Sequence, residues 1–197
     1  GGTILPRISA QDAKVAAGFI SMAGGAQTWE DMILRQRTYL LSLKKDVTEE
    51  DRASLEKLKK KVSNAKSADL SPKTPVADLP EEPVYLIDLH KHPVSVEAKR
   101  ITRPILVLQG ERDYQVTMAD DFKIWKEALG KRPSATFKTY PKLNHLFQEG
   151  EGSGLSTPDE YDKPGHVAEY VIEDIVAWIG RITATKSGIL KRGRASR

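Results

Sequence analysis

Asp113 and His145 are the two side chains whose types and settings could do chemistry together. Each follows a strand-like run. Pro104-Ile-Leu-Val-Leu108 is short, unbroken and apolar, and Gln109-Gly110 closes it before the charged Glu111-Arg112-Asp113. Such a run reads as a strand buried on both faces, the kind found in parallel sheets between helices. In open sheets of that kind ligands bind beyond the carboxyl ends of the strands. Asp113 lies in that position, on a glycine-containing loop. The next strand-like run, Ala135-Thr-Phe-Lys-Thr-Tyr140, leads into Pro141-Lys-Leu-Asn-His145. An acid and an imidazole beyond the ends of two successive strands read as a carboxylate–histidine pair. The carboxylate of such a pair orients the ring, and the other ring nitrogen can take up or release a proton near neutral pH.

The elements that must position this pair follow from periodicity and breakers. Gly1 to Ile8 suits a helix, and Ala13 to Ala23 is a small, apolar strand candidate ending at Gly24-Gly25. Thr28 with Asp31 three residues on is an N-cap signal. Trp29, Met32, Ile33, Tyr39, Leu40 and Leu43 then recur at helical spacing. Thr48 with Asp51 repeats the signal and opens a second helix to about Ala65. Its stripe is thin (Leu55, Leu58, Val62), and Lys57, Lys59, Lys60 and Lys61 read as a solvated face. Prolines at 72, 75, 80 and 83 break any long helix, leaving short helical pieces at Val84–Leu89 and Val94–Arg100. Residues 27–99 therefore read as a helical insertion between two strands, placed to cover the crevice as a lid. Met118 to Leu129 is a helix, Ala135–Tyr140 with Lys138 an edge strand, and Gly150 to Pro164 a surface loop beside His145. His166 to Ile182 closes the body as a helix, with Val167, Tyr170, Val171, Ile175, Trp178, Ile179 and Ile182 turned inward.

Composition narrows the class. At 197 residues, 39% hydrophobic and 29% charged, the chain is an ordinary globular one: a single domain over 1–182, with a basic tail at 183–197. The net charge of +4 comes from that tail, since Lys186, Lys191, Arg192, Arg194 and Arg197 outweigh the whole excess. A solvated, flexible terminus is the expectation there, and nucleic acid is not an expected partner. No apolar run approaches the length of a spanning helix, so no membrane partner is expected. With no cysteine, disulfides and thiolate chemistry are excluded. His90-x-His92 lacks the supporting carboxylate or thiolate spacing of a metal site, and no metal or organic cofactor is expected. Trp125 and Trp178 fall on apolar helix faces and read as core. Ser153 and Ser156 sit in a glycine-rich loop that is a poor support for a nucleophile.

Taken in order, these segments resemble the α/β-hydrolases, in their bacterial esterase or dienelactone-hydrolase-like branch. The likeness rests on Leu-Gln-Gly-Glu-Arg-Asp-Tyr-Gln-Val (108–116) and Tyr-Pro-Lys-Leu-Asn-His-Leu-Phe (140–147). Gly-Gly-Thr-Ile-Leu-Pro-Arg-Ile (1–8) and Lys-Pro-Gly-His-Val (163–167) add to it, and it spans nearly all of 1–182. The resemblance implies an α/β fold reduced to its last three parallel strands, flanked by helices. It also implies a triad of which Asp113 and His145 are the acid and the base. The nucleophilic serine of the family's G-x-S-x-G turn would precede Gly1 and is absent. The implied activity of the intact protein is cleavage of carboxylic esters through an acyl-enzyme, and the chain alone is expected to be inactive. Peptide or thioester hydrolysis on the same fold, or a non-catalytic interaction module, are the alternatives. Trp29, opening the lid, is the candidate substrate contact for a small-molecule ester. The Val15–Ala23 strand is expected to present an open edge, to a missing N-terminal half or to a second copy. The expected compartment is the cytoplasm.

Overall fold

The computed structural model describes residues 1–11 and 16–194, with backbone alone for 185–194. At its centre is β2 (Ile105–Gly110), buried at every position. β1 (Phe19–Met22) and β3 (Ala135–Tyr140) lie on either side of it, both parallel, in the order β1-β2-β3. Val107 stands opposite Ser21 on one side and Phe137 on the other. Alternation along β2 divides the apolar residues between two cores. Ile105 and Val107 pack with Phe122, Trp125 and Leu129 on one face, while Leu106 and Leu108 pack with Tyr140, Val171 and Trp178 on the other. Burial on both faces is what the unbroken apolar run implies.

Seven α-helices surround this sheet among the described residues: α1 (Leu5–Gln11), α2 (Trp29–Ser42), α3 (Glu49–Ala65), α4 (Pro83–Lys91), α5 (Val94–Glu97), α6 (Lys123–Leu129) and α7 (Glu169–Arg194). Both threonine caps are present. Thr28 Oγ1 accepts from Asp31 N, and Thr48 with Asp51 forms a reciprocal capping box. Residues between β1 and β2 are helical, as the N-cap and proline signals imply, and α2 packs along α3. The face of α2 differs from expectation. Its apolar positions stay half-buried, Leu43 is exposed, and the fully buried residue of the helix is Glu30.

Four boundaries are corrected. β1 begins at Phe19 rather than Ala13. Ala13 to Val15 lie outside the described residues, and Gly18 sits so close to Trp178 and Ile182 that an added Cβ would stand 2.7 and 2.9 Å from their rings and methyls. The Met118–Leu129 helix opens with a π-helical turn at Met118–Phe122, because Asp121 N and Phe122 N both bond to Thr117 O. The closing helix starts at Glu169, since Ala168 N is drawn to Phe147 O in the histidine loop. It buries Val171 and Trp178 but leaves Tyr170 and Ile179 exposed. Its backbone continues past Ile182 to Arg194, and residues 195–197 of the basic tail lie outside the described residues. No helix among the described residues is long and apolar enough to cross a membrane.

Candidate active site

Two loops leave the carboxyl ends of β2 and β3 and meet. Gly110 allows this. A Cβ there would stand 2.4 Å from Leu143 O and 2.6 Å from Asn144 O, so the acid loop can press against the histidine loop only through a residue with no side chain. Backbone bonds then lock them: Glu111 N donates to Tyr140 O, and Arg112 N to Leu143 O.

Asp113 is fully buried and surrounded by donors. Its Oδ1 accepts from the backbone N–H of Gln115 (2.7 Å) and Val116 (2.9 Å). Its Oδ2 accepts from Gln109 Nε2 at 3.0 Å and meets His145 Nδ1 at 2.8 Å. Because every other group facing this carboxyl is a donor, the proton of the last bond belongs on Nδ1. In the neutral ring the lone pair is therefore on Nε2. Gln109 is itself fixed, since Nε2 also donates to Val116 O and Gly110 O.

The histidine loop is rigid for its own reasons. Asn144 Oδ1 accepts from Leu146 N and Gln148 N, and Phe147 takes a left-handed φ of 57° while its ring is buried against Tyr140. His145 N donates to Tyr161 Oη at 3.3 Å, and that hydroxyl is also 2.8 Å from Ser156 Oγ. Burial pushes the Tyr161 hydroxyl above its ordinary range, the Ser156 and His145 bonds working against the rise. Loop 150–161, which carries both residues, is clamped by Arg112. The guanidinium makes two bonds to Glu160 (2.8 and 2.7 Å) and reaches the carbonyls of Gly154 and Glu151. This pairing holds the Glu160 carboxyl below the usual carboxylate range and raises the Arg112 guanidinium.

α2 is tied to the acid loop from the other side. Arg35 donates to the carbonyls of Tyr114 (2.7 Å) and Gln115 (2.9 Å), and Tyr39 stacks on Tyr114 with ring centroids 5.2 Å apart. Tyr114 in turn meets Tyr161 edge-on at 5.8 Å. Asp121, fully buried in the π-helical turn, accepts from the backbone of Ala26, Gln27 and Thr117. It thereby joins the loop after β1 to the loop after β2.

Trp29 is not brought to the Asp113–His145 pair. Its ring is partly buried against Ala65, Leu79 and Leu86, and it lines a cavity of about 1090 Å³ whose walls include neither residue of the pair. His90 and His92 each bond a buried glutamate, Glu30 at 2.7 Å and Glu97 at 3.2 Å. No cluster among the described residues could hold a metal ion. Ser156 is buried beneath Tyr161, Trp125 and Trp178 are core, and His166 is exposed. Sequence reasoning missed Gln109, Tyr161 and Arg35. Gln109 had a signal, a lone amide closing an otherwise apolar buried strand. The other two reach the site across 16 and 79 residues of chain, and no local pattern marks them.

No family model matches the chain. Over 180 residues, 91% of its length, it is 36% identical to Esterase EstD of Thermotoga maritima, and the match takes in 40% of that protein. The chain thus spans less than half the length of this curated relative. Among solved structures it is similar to MGS-M2, an alpha/beta hydrolase enzyme from a Medee basin deep-sea metagenome library, at 17% identity over 74% of this chain and 55% of that one, TM-score 0.38. It is also similar to the monoacylglycerol lipase of Paleococcus ferrophilus, at 15% identity over 90% and 65%, TM-score 0.43. This is a partial α/β-hydrolase fold. Within this α/β-hydrolase portion the acid loop follows β2, the histidine loop follows β3, and both open at the same end of the sheet.

Proposed function

We propose that this chain is the acid–base half of a serine esterase, which in its intact form cleaves carboxylic esters through an acyl-enzyme. The supporting observation is the 2.8 Å bond between buried Asp113 Oδ2 and His145 Nδ1, which leaves Nε2 as the proton acceptor. The curated relative's name, an esterase, points the same way. In this reading Nε2 takes the hydroxyl proton of a serine contributed from outside these residues as its oxygen attacks the ester carbonyl. The same proton then passes to the departing alkoxide, which leaves as alcohol. A water molecule repeats the sequence, giving up its proton to Nε2 and freeing the acid and the serine. Asp113 keeps the ring in the required tautomer and stabilises the imidazolium without accepting the proton. Residues 27–99 serve as the lid.

The 197-residue chain alone is therefore inactive on p-nitrophenyl esters, because removing a nucleophile costs on the order of 10⁶ in turnover in a related mechanism. Turnover by the isolated chain that disappears in H145A would overturn this. For a longer protein containing the chain, a serine-directed phosphonate probe is expected to label one serine. D113N is expected to slow ester turnover there by roughly 10⁴. Absence of labelling would favour a non-catalytic module.

A further inference from the structure

α2 and α3 pack along one another, and the seam between them stays open. Ile33, Leu40 and Leu41 from α2, with Leu55 and Leu58 from α3, line a groove of about 380 Å³, within the size range of small-molecule sites. All five are half-buried, yet none packs into the protein's cores. The remaining lining is cationic. Arg37, Lys57 and Lys61 make no hydrogen bond or ion pair among the described residues. Lys44 is held by Asp51, the one acid of the lining, and holds that carboxyl below its ordinary range. Two other acids of α3 pair outside the groove, Glu49 with Arg52 and Glu56 with Lys59, and so leave its cations unneutralised. Lys57 and Lys61 moreover stand one helical turn apart, and like charges at that spacing weaken a helix. Apolar side chains that reach no core, beside positive charge that no acid of the chain offsets, are complementary to a chain-like amphiphile with an anionic head. The apolar side chains are set back between two helices. A single chain can lie against them there, whereas a flat bilayer surface cannot.

We propose that the α2–α3 groove binds one free, unbranched aliphatic carboxylate, a fatty acid of about eight to twelve carbons, the length such a volume admits. Its chain lies along the five apolar side chains, and its carboxylate sits among Arg37, Lys57 and Lys61. Occupancy of this groove does not require ester cleavage at His145. The test reads binding, not turnover, so the two can fail separately.

The test titrates the full chain with octanoate and decanoate at neutral pH, below their micelle-forming concentrations, followed by calorimetry and by backbone amide shifts. 1-Octanol serves as the neutral isostere and octyltrimethylammonium as the cation of equal chain length. Saturable binding of one carboxylate per chain is expected, with the shifts concentrated in α2 and α3. Decanoate is expected to bind severalfold more tightly than octanoate, because two more methylenes leave water. Octanol and octyltrimethylammonium are expected to be at least about tenfold weaker than octanoate. K57Q/K61Q is expected to weaken octanoate by a similar factor and to leave octanol unchanged. R37Q, at an exposed position on the other helix, is expected to act in the same direction and keeps the question decidable if the double variant does not fold. Equal binding of octanol, unchanged octanoate affinity in both variants, or no saturation at tens of millimolar would each overturn the proposal. Sedimentation of the chain with phosphatidylglycerol vesicles while decanoate fails to saturate would also overturn it, assigning the seam to a membrane surface.

Discussion

The hydrogen bonds around Asp113 make D113N a sharp test of the proton assignment. An asparagine has one oxygen to offer where the carboxylate offers two. If that oxygen faces Gln115 N and Val116 N, replacing the contacts of 2.7 and 2.9 Å, the new NH₂ stands against Gln109 Nε2 and His145 Nδ1. Donor then meets donor at Gln109. The reverse orientation sets the NH₂ against two backbone N–H groups, which is worse. The surviving bonds also lose the strength that charge lends them, about half. Leaving one buried donor unmatched costs about 1–3 kcal/mol, so the whole substitution is expected to destabilise by about 2–4 kcal/mol. With an m-value of about 2 kcal/mol/M for urea, the midpoint falls by about 1–2 M. The ring responds as well. Nδ1 must now accept, so the proton moves to Nε2, and nitrogen-15 shifts at pH 9, where an ordinary imidazole is neutral, report the exchange. An unchanged midpoint together with a ring still protonated at Nδ1 would refute the assignment.

Further outcomes follow from the same loops. G110A places a Cβ 2.4 Å from Leu143 O, so the histidine loop must retreat. Loss of the His145–Asp113 bond, seen as a shifted Nδ1 resonance, is expected along with a stability loss of about 2 kcal/mol or more. Y161F removes the hydroxyl that His145 N donates to. The amide of His145 is expected to exchange with deuterium about tenfold faster, while exchange in β2 stays unchanged. Glu160 titrates below its ordinary range because Arg112 bonds it. Its contribution to stability is thus complete above the ordinary carboxylate range and disappears as pH falls through the depressed value. Loop 150–161 is expected to lose exchange protection there in the wild type and already at neutral pH in E160Q. Trp125→Phe forfeits the 2.8 Å bond to Gly24 O and part of a buried ring, at a cost of about 1–3 kcal/mol in urea unfolding.

Local chemistry decided which parts of the fold could be read in advance. β2 was legible because a strand buried on both faces reads as an unbroken apolar run, here Ile105 to Leu108, with its one amide, Gln109, only near the end. The two threonine caps were legible because the signal and its consequence lie within one turn. The Asp113–His145 meeting follows from two parallel strands ending at the same level, with Gly110 letting the loops touch. What escaped depends on distant partners. The start of β1 depends on Gly18 fitting under Trp178, the start of α7 on a carbonyl of Phe147, and the π-helical turn on what Asp121 must reach. Glu30 is the sharpest miss. Periodicity puts apolar residues on the inner side of α2, yet the side chain that vanishes inside is an acid, for which no pattern argues.

Arg35 carries one more consequence. It grips the carbonyls of Tyr114 and Gln115, and the amide of that same Gln115 is a ligand of the Asp113 carboxyl. A tug on α2 is therefore transmitted through a single peptide to the acid, without passing through the sheet. Any swing of α2 would move that amide against the Asp113 carboxyl, so the helical segment and the acid–histidine pair are mechanically one unit.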